Sequence, residues 1–206
     1  MIAIIDYDAG NIKSVEKALQ FLGEEAILTR KSSEILAAKR IILPGVGCFS
    51  DAMNNLHKYD LPAVIEEAIN RKIPFLGICV GLQLLFEGSE ESPGVKGLGL
   101  LPGQILKIPA QDGLKIPHMG WNSLHLPNKG RLFNGLKDEE YMYFVHSYYL
   151  KAQDEAMVTA TTDYGVPIHA AVEKDNLFAC QFHPEKSSDS GLKLLKNFAM
   201  INKEGE

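Results

Sequence analysis

The sequence has few cysteines, and their placement excludes two classes of protein. The three cysteines stand at positions 48, 79 and 180 of 206 residues. They form neither a CxxC metal pair nor the even, dense set of a disulfide-stabilised secreted domain. No HExxH-type spacing occurs among the six histidines, so we expect no metal and no cofactor. A reducing, cytoplasmic compartment is predicted.

Long apolar runs and blocks of positive charge are also missing. The most apolar stretch, residues 73–86, is shorter than the roughly 20 residues of a membrane span. The chain opens Met-Ile-Ala-Ile-Ile without a basic leader, so no signal peptide is expected. Acidic residues outnumber basic ones 26 to 21, which gives a formal charge of −5. We therefore expect neither a membrane nor nucleic acid as a partner.

What the chain does contain is the composition of one globular domain. Hydrophobic residues make up 46% and charged residues 23% of the sequence, which are average values for globular proteins. At about 150 residues per domain, the length suits one substantial domain. Neither an internal repeat nor a Gly/Ser-rich linker divides the sequence, and we expect a single domain over residues 1–206.

Apolar segments alternate with helical patterns over the first ninety residues, as in βαβ units around a parallel sheet. Strands are expected at residues 2–6, 26–29, 40–43 and 73–78. Helices are expected from an N-cap at Asn11 to residue 22, at residues 62–71 and at residues 82–86.

Glycine and proline interrupt the chain after residue 90, and β-type alternation follows. We expect strands at residues 104–108, 141–147, 156–162, 168–172 and 178–181, and a last helix over 191–201. The predicted fold class is α/β, with a mainly parallel central sheet flanked by helices and extended by a β-rich C-terminal half.

The segment Gly77-Ile78-Cys79-Val80-Gly81 lies between an apolar strand and a helix. A turn of this kind holds a nucleophile outward at the end of a sheet, and the helix N-terminus favours a thiolate. Cys79 is therefore the candidate nucleophile, although a small buried cysteine is the alternative. Cys48 and Cys180 lack this strand-to-helix setting, so we interpret both as structural.

A base for Cys79 is predicted in Gln181-Phe182-His183-Pro184-Glu185. In an extended segment His183 and Glu185 project to the same side, so that the carboxylate can orient the imidazole. The alternative is a surface turn with a solvated carboxylate. His57, His125 and His169 have no partner pattern and are expected on the surface or in strands.

The turn Pro44-Gly45-Val46-Gly47 follows the third predicted strand. In a parallel sheet it would lie beside the Cys79 turn. The backbone N–H groups of Val46 and Val80 are the candidate oxyanion hole, in which one donor contributes roughly 2.7–4 kcal/mol. An ordinary tight turn is the alternative.

Three motifs together resemble the class I glutamine amidotransferases: GICVGLQ around Cys79, FHPE ending at Glu185, and the PGVG turn. Within that class, DYDAGNIKSVEKAL, PHMGWN, FVHSYY and FHPEKSS resemble the glutaminase subunits of imidazole glycerol phosphate synthases, which act in the histidine pathway. The resemblance covers nearly the whole chain. It implies a heterodimer with a cyclase subunit.

The resemblance also implies roles for individual residues. Cys79 would attack the side-chain carboxamide of glutamine to form a γ-glutamyl thioester, and His183 would protonate the leaving ammonia. The amino-acid end of the substrate would be held by Gly47, Gln83 and the backbone of Ser147 and Tyr148.

A partner interface is expected on features that the triad does not need. The expected contacts are Pro117, His118, Met119, Trp121, Asn122 and Lys186. A lone tryptophan beside small residues suits an interface anchor, although it would also suit a cap on the β-rich half. Partner binding would turn the Gly45-Val46 peptide so that an N–H faces the oxyanion, which would explain a glutaminase that is weak when alone.

Three other functions are compatible with parts of the sequence. A glutaminase subunit of anthranilate or aminodeoxychorismate synthase would share the triad, but PHMGWN argues against it. A stand-alone γ-glutamyl or peptide hydrolase would need no partner. A degenerate binding module would be expected to lack Cys79 or His183, and both are present.

Overall fold

The structure, a computed structural model, describes residues 1–202. Its strands are β1 (Ile2–Ile5), β2 (Ala26–Thr29), β3 (Arg40–Gly45), β4 (Phe75–Cys79), β5 (Gly103–Lys107), β6 (His118–Ser123), β7 (Tyr141–His146), β8 (Tyr148–Ala152), β9 (Val158–Asp163), β10 (Pro167–Lys174) and β11 (Leu177–Cys180). Its helices are α1 (Ile12–Phe21), α2 (Ser32–Leu36), α3 (Phe49–Lys58), α4 (Leu61–Asn70), α5 (Val80–Leu84) and α6 (Ser188–Met200).

A central sheet organises the described residues. Its order within residues 1–202 is β2-β1-β3-β4-β11-β10-β9. The neighbours from β2 to β11 are parallel, whereas β10 and β9 add to the sheet in antiparallel fashion. The predicted α/β class with a mainly parallel sheet is therefore confirmed.

The β-rich half extends this sheet only in part. Strands β9 to β11 join it, as expected, but β5 pairs with β8 and β6 pairs with β7 in two smaller antiparallel sheets. The change of partner occurs at Ser147, which separates β7 from β8. The expectation that the whole second half extends one sheet is wrong, because these four strands satisfy their backbone groups in their own pairs.

The central strands are apolar on both faces because helices cover both sides of the sheet. All residues of β1, β3, β4 and β11 are buried. Helix α1 buries one stripe, formed by Ile12, Val15, Ala18 and Leu19 at helical spacing. None of the helices within residues 1–202 combines the length and apolar character needed to span a membrane.

Several elements differ from the sequence predictions. Helices α2 and α3 and strands β6 and β8 were not predicted, although α3 buries Phe49, Ala52, Met53 and Leu56 at a clear helical spacing. Helix α5 covers Val80–Leu84 and not residues 82–86. It begins directly after Cys79 because the chain turns at that residue.

The carboxyl ends of three neighbouring strands define one edge of the sheet. Gly45 of β3 pairs with Cys79 of β4, and Cys180 of β11 pairs with Ile78. The segments that follow these strands therefore meet at one place, where ligands bind in open α/β sheets.

Candidate active site

Cys79 lies in a sharp turn between β4 and α5, with φ 56° and ψ −109°. A Cβ at Gly77 would lie 2.7 Å from the Gly81 carbonyl oxygen, and one at Gly81 would lie 1.9 Å from the Leu43 carbonyl oxygen. Both glycines are required because α5 passes directly against the neighbouring backbone. The predicted strand-turn-helix geometry is therefore present.

The triad candidates His183 and Glu185 are held together behind this turn. His183 Nδ1 lies 2.8 Å from Glu185 Oε1, and the two side chains are 1% and 0% exposed. The His183 backbone N–H donates to the Tyr143 carbonyl at 2.9 Å, and the Ser187 hydroxyl donates to the His183 carbonyl at 2.6 Å. These contacts orient the imidazole with Nδ1 toward the carboxylate. They exclude the alternative of a solvated surface turn.

The charge state of His183 depends on its two neighbours. Burial alone would lower the pKa of this imidazole, but the hydrogen bond to Glu185 and the charges of Cys79 and Glu185 outweigh burial and raise the pKa to about 9. At neutral pH the ring is therefore protonated, which makes it a proton donor beside the Cys79 sulfur.

Asn11 belongs to this cluster, although the sequence predicted it as a helix cap. Its side chain makes no capping hydrogen bond to α1. Instead Nδ2 donates to Glu185 Oε1 at 2.5 Å and lies 3.4 Å from His183 Nδ1. Asn11 does occupy the predicted N-cap position of α1, but its backbone is left-handed, with φ 70°, and its side chain is directed to the buried carboxylate instead of the helix N–H groups. No local signal reveals a contact across 174 positions.

Gln181 is a second site residue whose role the sequence did not reveal. It is fully buried, and its Nε2 donates to Cys79 Sγ at 3.7 Å. Its Oε1 accepts a hydrogen bond from Gln83 Nε2 at 3.1 Å. The sequence does hold one clue to this role, because Gln181 directly precedes Phe-His-Pro-Glu. That position places Gln181 at the end of β11, beside the nucleophile.

The remaining cysteines and histidines lie away from the nucleophile or inside the core. Cys180 is completely buried, which raises the pKa of its thiol well above the usual value. Cys48 is half-buried, and its sulfur lies 3.2 Å from the Ser50 hydroxyl, a hydrogen bond that lowers the pKa of the thiol. His57 and His125 are exposed and His169 lies in β10, so the prediction of surface or strand positions is confirmed.

A cavity of about 280 Å³ opens beside Cys79. It is lined by Val46, Gly47, Cys79, Val80, Gln83, Glu91, Pro117, Val145, His146, Ser147 and Tyr148. Every residue predicted for the oxyanion hole and for substrate binding is among them. Glu91 was missed because it lies in an irregular segment, where its carboxylate accepts the Phe49 N–H at 2.7 Å.

The backbone of Tyr148 is aimed into this cavity region. The Ile108 N–H donates to the Ser147 carbonyl at 3.0 Å, so the adjoining Lys107–Tyr148 pair in β5 and β8 is a non-hydrogen-bonded pair. The carbonyl and N–H of Tyr148 therefore point away from β5. The carbonyl accepts Gln83 Nε2 at 3.1 Å, which leaves the N–H as a donor for a ligand.

The residues predicted to contact a partner lie mainly on strand β6. Met119 and Trp121 are 62% and 52% exposed, but His118 is only 2% exposed. The prediction of His118 as a surface contact is wrong, because strand alternation turns its side chain inward. Pro117 and Lys186 are exposed, and Asn122 is half-buried.

Residues 3–202 match the family described as glutamine amidotransferase class-I. Solved structures with a similar fold include a glutamine amidotransferase with a TM-score of 0.74 and 20% identity, covering 97% of this chain and 100% of that one. PurLQS from Thermotoga maritima has a TM-score of 0.77 and 21% identity, covering 98% of each chain. The chain belongs to the class-I glutamine amidotransferases.

The more similar relatives narrow this assignment. Imidazole glycerol phosphate synthase subunit HisH of Moorella thermoacetica is 53% identical over 97% of this chain and 94% of that protein. The subunit of the same name from Methanocaldococcus jannaschii is 48% identical over 98% of this chain and 100% of that protein. The chain therefore belongs to the HisH family, and the resemblance recognised in its motifs is confirmed.

Proposed function

We propose that this chain hydrolyses glutamine to glutamate and ammonia through Cys79, His183 and Glu185. It delivers the ammonia to a cyclase subunit that makes imidazole glycerol phosphate and an aminoimidazole carboxamide ribotide in histidine biosynthesis. The observation that carries the proposal is Cys79 on its sharp turn, beside a cavity lined by the predicted substrate residues and backed by the His183–Glu185 pair.

In the first chemical step, the Cys79 sulfur attacks the side-chain carbonyl carbon of glutamine. The S–C bond forms as the carbonyl π bond opens to an oxyanion. The oxyanion then collapses, the C–N bond breaks, and the protonated His183 gives its proton to the leaving ammonia. The raised pKa of His183, about 9, keeps that proton available at neutral pH. The product is a γ-glutamyl thioester.

Water completes the cycle. After ammonia leaves, His183 is neutral. It accepts a proton from a water molecule as the water oxygen attacks the thioester carbon. The C–S bond then breaks, and glutamate leaves while sulfur and imidazolium are restored. Glu185, hydrogen-bonded to Nδ1, stabilises the imidazolium in each half of the reaction.

Backbone donors stabilise the oxyanion in this proposal. Val80 is the first residue of α5, so its N–H has no acceptor within the helix. Val46 follows directly after Gly45, the residue that pairs with Cys79. A turn of the Gly45-Val46 peptide on partner binding would add a second N–H and roughly 2.7–4 kcal/mol of stabilisation.

The ends of the cavity suit the charged end of glutamine. The Tyr148 N–H, which points away from β5, would bind the α-carboxylate, and the adjoining backbone of Ser147 lines the same part of the cavity. Glu91 lines the same cavity and offers a carboxylate to the α-ammonium group. Gly47 and Gln83 complete this subsite.

The partner would bind at the edge of the sheet that carries the site. Met119 and Trp121 expose apolar area on β6, and Lys186 lies directly after Glu185 in the turn Pro184–Lys186.

We further propose that the chain acts as one domain in a reducing cytoplasm, where its three free cysteines stay reduced.

A glutaminase assay with and without the cyclase subunit and its substrate tests the proposal. We expect low turnover alone, strong stimulation in the loaded complex, and complete loss in Cys79→Ala, with Cys48→Ala and Cys180→Ala as matched controls. Ammonium salts should restore synthase activity in the Cys79→Ala complex. Full turnover without a partner would instead indicate a free-standing hydrolase.

A further inference from the structure

Two buried histidines connect strand β6 to the substrate cavity. His118 Nδ1 lies 3.0 Å from His146 Nε2, and His146 Nδ1 lies 2.9 Å from the Tyr148 carbonyl oxygen. On the far side, Asn122 Nδ2 lies 3.3 Å from His118 Nε2. The pair therefore forms the middle of a row of hydrogen bonds that ends at Tyr148.

The direction of every hydrogen bond in this row follows from its ends. The Tyr148 carbonyl can only accept, so His146 carries its proton on Nδ1 and presents Nε2 as an acceptor. His118 must then donate from Nδ1 and accept at Nε2. The Asn122 amide supplies that last donor, and its other hydrogen is donated to the Asp163 carbonyl at 2.9 Å. Both rings are thus neutral Nδ1–H tautomers.

The surroundings of the two rings favour the neutral form. His118 is stacked on Phe144 and Tyr164, with ring centroids 4.7 and 3.9 Å apart. His118 and His146 are 2% and 6% exposed. Burial lowers the pKa of His118 to about 4 and that of His146 to about 3.

The Tyr148 carbonyl links this row to the nucleophile. It accepts Gln83 Nε2 at 3.1 Å, and the same amide donates to Gln181 Oε1 at 3.1 Å. Gln181 in turn donates to Cys79 Sγ. A change at the histidine pair therefore alters the position of the Tyr148 backbone, the Gln83 side chain and, through Gln181, the donor to sulfur.

We propose that His118 and His146 are positioning residues for glutamine hydrolysis, acting as a directional pair of donors that holds the Tyr148 carbonyl and, through it, Gln83 and Gln181. The inference rests on the proposed glutaminase function. Neither histidine transfers a proton to substrate. Their role is to fix the donors that meet glutamine and the Cys79 sulfur.

Two kinds of substitution separate positioning from packing. Phenylalanine at position 118 or 146 keeps an aromatic ring but removes the Nδ1–H donor. Asparagine loses the ring but places an amide N–H where Nδ1 stood. If the histidines act as hydrogen-bond donors, His118→Phe and His146→Phe should lose glutaminase activity and the asparagine variants should retain more of it. If the histidines only fill space in the core, the phenylalanine variants should be the more active ones.

The variants are assayed for glutaminase activity in complex with the cyclase subunit and its substrate, with His57→Phe as an exposed control. We expect kcat/KM to fall roughly 10-fold in each phenylalanine variant, as for the loss of one buried hydrogen bond, with KM for glutamine raised. The asparagine variants should remain within about 3-fold of the wild-type chain. Wild-type kcat/KM in the phenylalanine variants would overturn the proposal.

Nitrogen-15 NMR of the histidine rings in the wild-type chain gives a readout that does not depend on glutaminase activity. Nδ1–H signals are expected for both His118 and His146, and an Nε2–H tautomer or a charged ring at either position at neutral pH would overturn the proposal. If the wild-type complex hydrolyses no glutamine, the proposed function fails, and the NMR result still decides the state of the histidine pair.

Discussion

Asn11 Nδ2 lies 2.5 Å from Glu185 Oε1, so the loop before α1 supports the carboxylate that orients His183. This relationship joins the amino-terminal and carboxyl-terminal parts of the chain at the triad. It also means that Glu185 Oε1 is shared between an imidazole and an amide, while Oε2 is buried without a hydrogen-bond partner among the described residues.

Substitution Asn11→Ala should weaken the glutaminase without removing it. The change deletes a hydrogen bond to a charged group, worth about 1.5–3 kcal/mol, and so we expect kcat to fall roughly 10- to 100-fold. Asn54→Ala, on the exposed face of α3, is the matched control. Steady-state kinetics of the complex checks this, and unchanged kcat in Asn11→Ala would show that Glu185 needs no second donor.

The pH profile of glutamine hydrolysis should follow His183. Because its pKa is raised to about 9, the proton donor is present below that pH and is lost above it. We expect kcat to decline above about pH 9. Glu185→Gln removes one of the two groups that raise the pKa, so the alkaline limb should move to lower pH. An unmoved limb in a folded Glu185→Gln complex would contradict this assignment.

Gly81→Ala should destabilise the fold strongly. The added Cβ would lie 1.9 Å from the Leu43 carbonyl oxygen, and backbone cannot move away without disturbing β3. We expect a loss at or above the usual 1–3 kcal/mol of overpacking. Gly88→Ala is the control, since its Cβ would meet nothing closer than 3.5 Å. Urea unfolding of both variants measures the difference, and equal stabilities would disprove the close approach.

Stability should decrease on mild acidification because of the buried histidines. The pKa values of His118 and His146 are lowered from 6.5 to about 4 and about 3, so the unfolded chain binds protons first. The contribution of the two histidines to the free energy of unfolding is present above pH 6.5 and is lost as the pH falls toward these values. For each histidine, the free energy of unfolding should fall by up to about 1.4 kcal/mol per pH unit.

Urea unfolding between pH 6.5 and 5 measures this slope. We expect it to be reduced in His118→Phe and His146→Phe and unchanged in His57→Phe, whose side chain is exposed in the native chain. An identical slope in all four proteins would show that other groups determine acid stability.

Trp121→Ala and Lys186→Ala should weaken association with the cyclase subunit. Trp121 is half-exposed and packs edge-on against Tyr143, with ring centroids 6.1 Å apart, and buried tryptophan anchors commonly contribute about 2 kcal/mol or more. Met200→Ala, an exposed apolar residue at the end of α6, is the control. Calorimetric titration of the partner gives the affinities. Wild-type affinity in both variants would place the interface elsewhere.

The parts of the fold that the sequence predicted are those with local signals. The first four predicted strands and the Cys79 turn were found because apolar runs and paired glycines report on neighbouring residues. The sequence did not predict that the His118 side chain points inward. Taken alone, residues 117–122 resemble a loop, and only their pairing with β7 makes them a strand. Register against a distant strand decides which side chains are buried.

The pairing of His183 with Glu185 in the proposed triad could be predicted, whereas the contacts of Asn11 and Gln181 with it could not. His183 and Glu185 are two positions apart, so their pairing is a local property. Asn11 and Gln181 act through contacts with residues about one hundred or more positions away, and a single sequence carries no signal for such contacts. The cavity residue Glu91 was missed because the irregular segment that holds it has no pattern to predict its position.

The backbone conformation that Cys79 needs as the proposed nucleophile lowers the stability of the fold. A positive φ of 56° is unfavourable for any residue with a Cβ, by about 1–3 kcal/mol, but it is readily adopted by glycine. Replacement Cys79→Gly should therefore relieve strain and raise the melting temperature while ending catalysis. Because only glycine adopts this φ without cost, the stability gained at position 79 comes together with the loss of the nucleophile.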